Sequence, residues 1–429
     1  MKKNLLYFII FMTLSVSAQT FDWTPQNSGT TNTLNDVFFI DNQKGWVVGD
    51  NGIILNTTDG GQNWISQTSG TSEILRTVYF IDESTGWAAG GSLNEALIKT
   101  TDGGASWQSI ASGNSNFNQI FDIAFFNEMT GWLITLDSIF MTSDGGDTWM
   151  SENYVNTIEN PRPRAIAIAS DTLAYIAGSR RQSVGTTGAE IFWRRPETAP
   201  ILWWESGFEN TVADDRFTSI DLTNSSIAFA GSENGRLFKL IYDPVFPSIW
   251  ELNFEVTGTS GISSVSLSNE NNGMFNTSVD FSGTTYTLIY HTSDAGNTWS
   301  ATPDSIPDLL TSTLYTPDSA NAWIVGSGGK IFKGTPSPAG INYMSLDIDI
   351  SIYPNPTTDR INVSTTSKIN ESIYCSLSDL TGRIIFQDTW SLNPSNNSFA
   401  YDLSDINNGV YLLSIRNNRG RNTYRVIKK

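Results

Sequence analysis

The sequence predicts an all-β protein, a seven-bladed β-propeller followed by a small immunoglobulin-like β-sandwich. Three observations support this fold class. An eight-residue motif recurs along most of the chain, short segments of alternating apolar and polar residues lie between its copies, and no long segment has the 3.6-residue apolar period of a helix. A composition with 14 Trp, 23 Phe and 35 Gly but only 16% charged residues agrees with this class.

The recurring motif, here named the Asp box, reads Thr-x-Asp, then Gly or Ala, then Gly-x-x-Trp. Its copies begin at Thr57, Thr100, Thr142 and Thr292. Asp-Gly after a strand favours a tight turn, in which glycine supplies positive φ and the carboxylate accepts backbone N–H bonds. The Trp then begins the next strand and packs between sheets. A structural role is therefore predicted for Asp59, Trp64, Asp102, Trp107, Asp144, Trp149, Asp294 and Trp299.

Each repeat is predicted to form one blade of four antiparallel strands. Two aromatic series with seven members each follow the repeats, and the outer-strand member of the fourth unit is either Trp203 or Trp204. The last unit stops after Lys333 without an outer strand. Residues 22–29 match residues 63–70, so we expect the N-terminal strand 22–29 to complete the seventh blade and close the ring. The propeller is expected to span residues 19–334.

The N-terminus has the layout of a secretory signal peptide: two lysines, an apolar stretch and small residues. We expect a signal peptide over residues 1–18, cleaved between Ala18 and Gln19. The mature chain is expected to contain no transmembrane segment and to be a monomer. With Cys375 as the only cysteine, no intramolecular disulfide can form.

Charge and motif content exclude several functions. A net charge of −18 argues against nucleic-acid binding, which needs a basic surface. His291 is the only histidine and has no cysteine at ligand spacing, so we predict no metal site. No phosphate-binding glycine loop opens a helix, and no cofactor is predicted.

The end of the chain predicts a second domain, with a linker over residues 335–346 and a β-sandwich over 347–429. Its ordered motifs contain Tyr353, Pro354, Asn355, Pro356, Gly382, Gly409, Lys428 and Lys429. These motifs resemble the C-terminal sorting domain of type IX secretion cargo in Bacteroidota. The resemblance implies transit through the periplasm and outer membrane to the cell surface or outside, with the secretion machinery and its processing protease as partners.

The repeats resemble the BNR/Asp-box superfamily, and most closely the photosystem II stability and assembly factor group. The shared features are Gly-Trp, Val-Gly and Gly-x-Ile strands followed by the Asp box. The resemblance implies a protein-binding propeller. A photosynthetic role does not follow, because the sorting tail implies export.

The fourth unit concentrates basic residues on an acidic protein. Arg162 and Arg164 are expected on one connection and Arg180 and Arg181 on another, on one face of the ring. Arginine forks suit carboxylate, sulfate or phosphate groups, and Trp193 could stack on a sugar. The alternative is that these arginines pair with local acids and that the Trp packs its own blade.

Two functions therefore remain. The first is a secreted, non-catalytic propeller that binds an unknown protein or glycan. The second is a surface glycoside hydrolase that uses Asp36 and Asp122, which occupy equivalent positions on the innermost strands of units one and three.

Overall fold

The computed structural model describes the chain from residue 21 onward with gaps and divides it into two compact units, Thr20–Ser337 and Pro338–Lys429. The predicted signal peptide and its cleavage residues Ala18 and Gln19 lie outside the described residues. The described residues are 21–92, 95–110, 117, 119–152, 161–170, 173–181, 187–194, 203–205, 207–208, 215–224, 226–241, 249–256, 259–281, 284–302, 306–307, 313–336, 350–366, 371–379, 384–393, 396–416 and 421–429.

The first unit consists of seven sheets, which confirms the predicted seven-bladed propeller. Strand β1 is Phe21–Gln26. Blade 1 contains β2 to β5, which are Leu34–Phe39, Gly45–Gly49, Ile54–Thr57 and Ile65–Gln67. Blade 2 contains β6 to β9, which are Leu75–Phe80, Gly86–Gly91, Glu95–Thr100 and Gln108–Ser109. Blade 3 contains β10 to β13, which are Asp122–Phe125, Gly131–Ile134, Ile139–Thr142 and Met150–Glu152.

The next three blades carry longer or additional strands. Blade 4 contains β14 to β17, which are Pro161–Ile168, Ala174–Arg181, Thr187–Arg194 and Trp203–Glu205. Blade 5 contains β18 to β22, which are Gly207–Phe208, Phe217–Asn224, Ile227–Ser232, Arg236–Ile241 and Ile249–Glu255, with β18 parallel to β22. Blade 6 contains β23 to β27, which are Ile262–Leu267, Gly273–Phe281, Thr284–Thr292, Ser300–Ala301 and Ile306–Pro307.

Blade 7 is built from both ends of the first unit. It contains β28 to β30, which are Thr313–Asp318, Asn321–Val325 and Ile331–Pro336, and β1 pairs antiparallel with β30. Phe21 pairs with Pro336, so the strand pairing extends two residues beyond the expected propeller end at 334. The closing strand ends at Gln26 rather than residue 29, because the chain turns at Gly29, whose φ is 71°.

Aromatic rings hold neighbouring blades together. Trp46 of blade 1 stacks on Phe80 of blade 2 with 3.5 Å between centroids, and Trp107 meets the edge of Phe80 at 5.9 Å. The same three-ring arrangement joins blades 2 and 3 and blades 7 and 1. Because each ring buries a large apolar area, this packing stabilises the contact between neighbouring blades.

Each Asp box closes its own turn. In the first box, Asp59 Oδ1 accepts the Asn63 N–H at 2.9 Å and the Thr57 hydroxyl at 2.9 Å. Thr57 Oγ1 accepts the N–H of Gly61, whose φ is 85°. The other three boxes have the same bonds. Each carboxylate therefore satisfies backbone groups of its own turn.

Strand register identifies the outer-strand Trp of blade 4. Trp204 pairs with Trp193, as Ile65 pairs with Asn56 in blade 1. Trp203 therefore occupies the position that corresponds to Trp64.

The second unit contains two sheets, as expected for an immunoglobulin-like sandwich. Its buried core contains Trp390, Leu377 and Leu413. One sheet has the order β31-β32-β35 and the other β34-β33-β36-β37. These strands, β31 to β37, are Ile350–Tyr353, Arg360–Thr366, Glu371–Asp379, Ile384–Leu392, Asn396–Asp402, Gly409–Arg416 and Arg421–Lys428.

Candidate ligand-binding face

One side of the ring, here the upper face, carries the connections from outer to inner strand and from second to third strand. On this face, the second strand of blade 4 is longer than that of blade 1. Gly178 corresponds to Gly49, because Pro163 pairs with Gly178 as Leu34 pairs with Gly49. Strand β3 ends at Gly49, whereas β15 continues for three residues beyond Gly178 to Arg181. At about 3.3 Å per residue, this hairpin extends ~10 Å further.

The four predicted arginines lie in strands rather than on connections. Arg162 and Arg164 belong to β14, and Arg180 and Arg181 belong to β15. The expected position on connections is wrong because the longer hairpin pairs these segments, with Arg180 opposite Pro161. The register places Arg162 and Arg180 at the upper end of blade 4. The side chains of Arg180 and Arg181 lie outside the described part of the structure.

The predicted stacking residue Trp193 lies in β16. Its backbone pairs with Tyr175 on one side and Trp204 on the other. The side chain of Trp193 is not among those described, so its use as a sugar platform remains a prediction.

An aromatic ring between two guanidinium groups lies on the upper face. The Arg164 Cζ atom is 4.2 Å from the centroid of the Phe121 ring, and the Arg76 Cζ atom is 5.7 Å from it. The three residues come from blades 2, 3 and 4. They directly precede Thr77, Asp122 and Ala165, which occupy equivalent positions on the innermost strands of those blades. Sequence reasoning missed Arg76 and Phe121, although aligning the residue before each of these positions would have found them.

Arg162 and Arg216 join this group. Burial is the main cause that lowers the pKa of Arg164, and the charges of Arg162, Arg216 and Arg76 lower it further, whereas Glu233 raises it. We name Arg76, Arg162, Arg164 and Arg216 the arginine cluster.

Among the described residues, Glu233 is a carboxylate that partly balances the arginine cluster. Glu233 lies 3.7 Å from Arg216. The Nε atom of Arg76 is buried and has no hydrogen-bond partner within the described residues. Within the described part of the chain, four guanidinium groups thus lie near this one carboxylate, a charge distribution that favours an anionic ligand.

The two carboxylates of the hydrolase alternative are both engaged in hydrogen bonds between blades. Asp36 accepts the backbone N–H of Val37 at 2.9 Å through Oδ1 and that of Val78 in blade 2 at 2.8 Å through Oδ2. Asp122 Oδ2 accepts the N–H of Ile166 in blade 4 at 2.9 Å. Each carboxylate thus links two innermost strands.

A third carboxylate, which sequence reasoning missed, makes the same link. Asp221 accepts the N–H of Leu222 and, in blade 6, that of Leu267, both at 2.7 Å. Asp221 lies two residues after Ser219 on β19, and residues two apart on a strand have their side chains on the same face of the sheet. This alternation was the sequence signal that could have identified Asp221.

We name the carboxyl groups of Asp36, Asp122 and Asp221 the channel carboxyls, and burial raises the pKa of all three. The pKa of Asp36 rises to about 8, that of Asp221 to about 7 and that of Asp122 to about 6. Desolvation is the largest cause in each case, and the backbone hydrogen bonds oppose it. The charge of Asp122 further raises the pKa of Asp36 and Asp221.

Aromatic side chains from consecutive blades pack beside these carboxyls. The Phe38 ring centroid lies 5.1 Å from that of Tyr79 and 5.1 Å from that of Tyr315. Tyr79 donates to the Phe125 carbonyl at 2.8 Å, and burial raises the pKa of Tyr79 to about 12. This inner layer is a packed, hydrogen-bonded interface between blades.

The described residues contain no group of three or more His, Cys, Asp or Glu side chains arranged to hold a metal ion. Within the same ranges, no helix has the length and apolar character needed to cross a membrane.

The sorting motifs come together in the second unit. The Asn355 side chain donates to the Arg425 carbonyl at 2.6 Å and accepts the Ile427 N–H at 2.9 Å. Thr357 N–H donates to Ile427 O, and Lys429 N–H donates to Thr357 O, each at 2.8 Å. The Pro-Asn-Pro segment is thereby attached to the C-terminal strand β37.

The remaining motif residues vary in exposure. Tyr353 is half exposed at 50%, and Gly409 begins β36. Lys428 is 8% exposed, whereas Lys429 is exposed. Gly382 lies outside the described residues.

Fold and motifs together define a repeat propeller joined to a secretion tail. Residues 351–429 match the family model of the "Secretion system C-terminal sorting domain". Residues 15–116 match that of the "Photosynthesis system II assembly factor YCF48". Both predicted resemblances are confirmed. The sorting domain indicates export by type IX secretion to the cell surface or outside.

Solved structures of the same fold include two assembly-factor propellers. "YCF48 bound to D1 peptide" is 20% identical with a TM-score of 0.52, and the match covers 76% of this chain and 100% of that chain. "YCF48 from Cyanidioschyzon merolae" is 17% identical with a TM-score of 0.52 and coverages of 72% and 98%. An ancestral GH74 enzyme is 11% identical with a TM-score of 0.40 and coverages of 96% and 85%. No curated protein matches the chain. At these identities the likeness shows the fold alone.

Proposed function

We propose that this protein is an exported, non-catalytic propeller whose upper face binds an anionic segment of a partner protein. The observation that carries the proposal is the arginine cluster around Phe121. On a chain with a net charge of −18, it brings together four arginines of blades 2, 4 and 5 near Phe121 of blade 3. The sorting domain supports the export part of the proposal, and an exported propeller would meet its partner outside the cell.

The chemistry of the cluster suits peptide carboxylates. A guanidinium group forms two parallel hydrogen bonds with a carboxylate, and this interaction strengthens where water is partly excluded, as around Arg164. Phe121 adds an apolar surface beside the charges. A flexible segment with Asp or Glu side chains, or a free C-terminal carboxylate, offers both kinds of contact.

A solved neighbour adds support for a peptide ligand. That assembly-factor propeller is YCF48 bound to a D1 peptide. We extend to this chain only the type of ligand, a peptide segment, and leave the photosynthetic partner aside.

The non-catalytic part of the proposal rests on the channel carboxylates. Glycoside hydrolysis usually needs two carboxyl groups that flank the bond to be cleaved. Asp36 and Asp122 instead accept backbone N–H groups from neighbouring blades. Their hydrogen bonds support a structural role over an acid–base pair.

Binding is tested with the full mature chain against peptide arrays that contain acidic, neutral and basic sequences. We expect selective binding of acidic peptides, which weakens as salt rises. The double variant Arg76→Gln/Arg164→Gln should lower affinity at least tenfold. Arg425→Gln, in the sorting domain, is the matched control and should leave affinity unchanged.

Three results would reject this site or ligand: no selectivity for acidic peptides, equal affinity of the double variant and the control, or selective binding of anionic glycans instead. The hydrolase alternative has its own assay. Sugar release from a polysaccharide panel that disappears in Asp36→Asn but persists in Glu251→Gln would contradict the non-catalytic proposal.

A further inference from the structure

The seam between blades 6 and 7, where the ring closes, is apolar. Phe21, the first residue of β1, belongs to a buried cluster with Met274 and Ile289 of blade 6 and Leu314 and Ile324 of blade 7. The closing strand is held by this cluster and by its backbone pairing with β30. The seam therefore depends on non-covalent contacts between distant parts of the chain.

The only histidine of the chain lies in this seam. His291, in β25, is 3% exposed, and its ring centroid lies 6.2 Å from that of Phe21. Both ring nitrogens are buried and have no hydrogen-bond partner within the described residues. Buried polar groups without partners are rare because desolvation penalises them.

Comparison with other blades explains why His291 has no partner. His291 pairs with Met274 of β24. At the corresponding register position, blades 2, 5 and 7 have Lys99, Lys239 and Lys333, each opposite an aromatic residue of the second strand. Each lysine donates to a carbonyl in the Asp box of the following blade, at 2.7, 2.6 and 3.2 Å. Blade 7 receives its outer strand from the N-terminus and so has no Asp box. The three lysines thus have a carbonyl of the following blade as partner, whereas His291 lies beside the ring of Phe21.

We infer that His291 makes the closing seam sensitive to acid, so that protonation of its imidazole releases β1 from blades 6 and 7. An imidazolium ion has two N–H donors, and neither ring nitrogen of His291 has a hydrogen-bond partner among the described residues. Leaving a charge in such a site is more costly than separating β1 and admitting water. The inference is independent of the proposed ligand.

Burial lowers the pKa of His291, and no ionisable group among the described residues adds to or opposes this effect. The titratable residues of the strands that pack around the seam are Asp22 of β1, Asp280 of β24, Tyr286 and Tyr290 of β25, Tyr315 and Asp318 of β28, and Lys333 of β30.

The sign of the pH effect follows from the lowered pKa. Above pH 6.5, the ordinary pKa of histidine, the imidazole is neutral in the open and closed seams and β1 is fully held. As pH falls below 6.5, the open state gains a proton first. The ratio of closed to open seam then falls by up to about tenfold per pH unit, until the lower pKa of the closed state is reached.

The test uses the mature chain without a histidine tag, whose single imidazole gives an unambiguous NMR signal. The imidazole pKa and the hydrogen exchange of the β1 amides are followed from pH 7.5 to 5, with exchange corrected for its intrinsic pH dependence. We expect an imidazole pKa below 6.5 and a loss of β1 protection below pH 6.5, whereas β8 in blade 2 keeps its protection. An imidazole that titrates at its ordinary value, or β1 protection that changes no more than that of β8, would overturn the inference.

The variant His291→Leu separates this effect from the channel carboxyls. It removes the titrating group and keeps an apolar side chain in the seam, so β1 protection should no longer depend on pH. If β1 in this variant still loses protection in acid as the parent does, the inference is wrong. Should the variant fail to fold, the titration of the unmodified chain decides.

Discussion

Asp36 of blade 1 accepts a hydrogen bond from the backbone N–H of Val78 in blade 2, with 2.8 Å between Oδ2 and N. Asp122 and Asp221 make the same bond from blade 3 to blade 4 and from blade 5 to blade 6. Between blades 6 and 7, the Thr316 N–H donates to the Ser266 hydroxyl at 3.0 Å. The blades are thus joined by side-chain acceptors that are absent from the recurring motif.

Removing one of these acceptors should weaken the ring. In Asp36→Asn, the amide has a single acceptor oxygen, so either Val37 or Val78 loses its partner. We expect the free energy of unfolding to fall by about 1–3 kcal/mol, the usual effect of leaving a buried donor unpaired. Urea denaturation measures it, with Glu251→Gln on the outer strand β22 as control. An Asp36→Asn variant as stable as the control would contradict the role of this bond.

The channel carboxyls should make the propeller more stable in mild acid than in mild base. Their folded-state pKa values of about 8, 7 and 6 exceed the model value of 3.8, so the folded state retains protons that the unfolded state has released. Their stabilisation is complete below pH 3.8 and is lost as pH rises through 6 to 8. Denaturation midpoints of His291→Leu, compared between pH 6 and pH 9, should fall with rising pH. Asp221→Asn in that background should reduce the slope, and an unchanged slope would show that Asp221 does not contribute.

The Asp-box carboxylate should matter much more than a neighbouring exposed one. Asp144 accepts the Thr148 N–H at 2.9 Å and the Thr142 hydroxyl at 2.8 Å, so Asp144→Ala should destabilise the propeller by about 1–3 kcal/mol. Asp147, in the same turn, only approaches Lys99 at 3.8 Å, and Asp147→Ala should change stability by less than about 0.5 kcal/mol. Thermal or urea unfolding of both variants measures the difference. Equal effects would show that the turn does not depend on the Asp-box bonds.

Asn355 should stabilise the sorting domain through its two hydrogen bonds to β37. Asn355→Ala removes the acceptor for Ile427 N–H and the donor to Arg425 O. We expect faster hydrogen exchange in Arg421–Lys428 and a loss of about 1–2 kcal/mol of stability in the full chain. Asn408→Ala, at an exposed position before β36, is the matched control. Unchanged exchange in β37 would refute this attachment.

Local sequence was sufficient for the blades. Asp-Gly turns, alternating strands and regularly spaced Trp residues depend on interactions within a few residues, so the four boxes and most aromatic positions could be read directly. Blade 6 is an exception on the second strand: counting Phe275 there is wrong, because the register places Met274 at the position that corresponds to Trp87. Even ring closure left a sequence signal, because β1 keeps the residues of an outer strand. Its end at Gln26 is followed by a turn in which the Ser28 hydroxyl donates to the Gly329 carbonyl, 301 positions away, and local sequence does not reveal that contact.

The candidate site was only partly predictable. Arg162 and Arg164 stood out by their local density, but Arg76 and Phe121 lie in other blades and join them only when the ring assembles. Asp36 and Asp122 were recognised as equivalent, yet their engagement by Val78 and Ile166 required the neighbouring strands. The sequence by itself determined the repeat, the blade count and the export tail, because each depends on short-range patterns. Only the tertiary structure decided which side chains meet across blades and that His291 faces Phe21 instead of a carbonyl, because those contacts join residues brought together by closure of the ring.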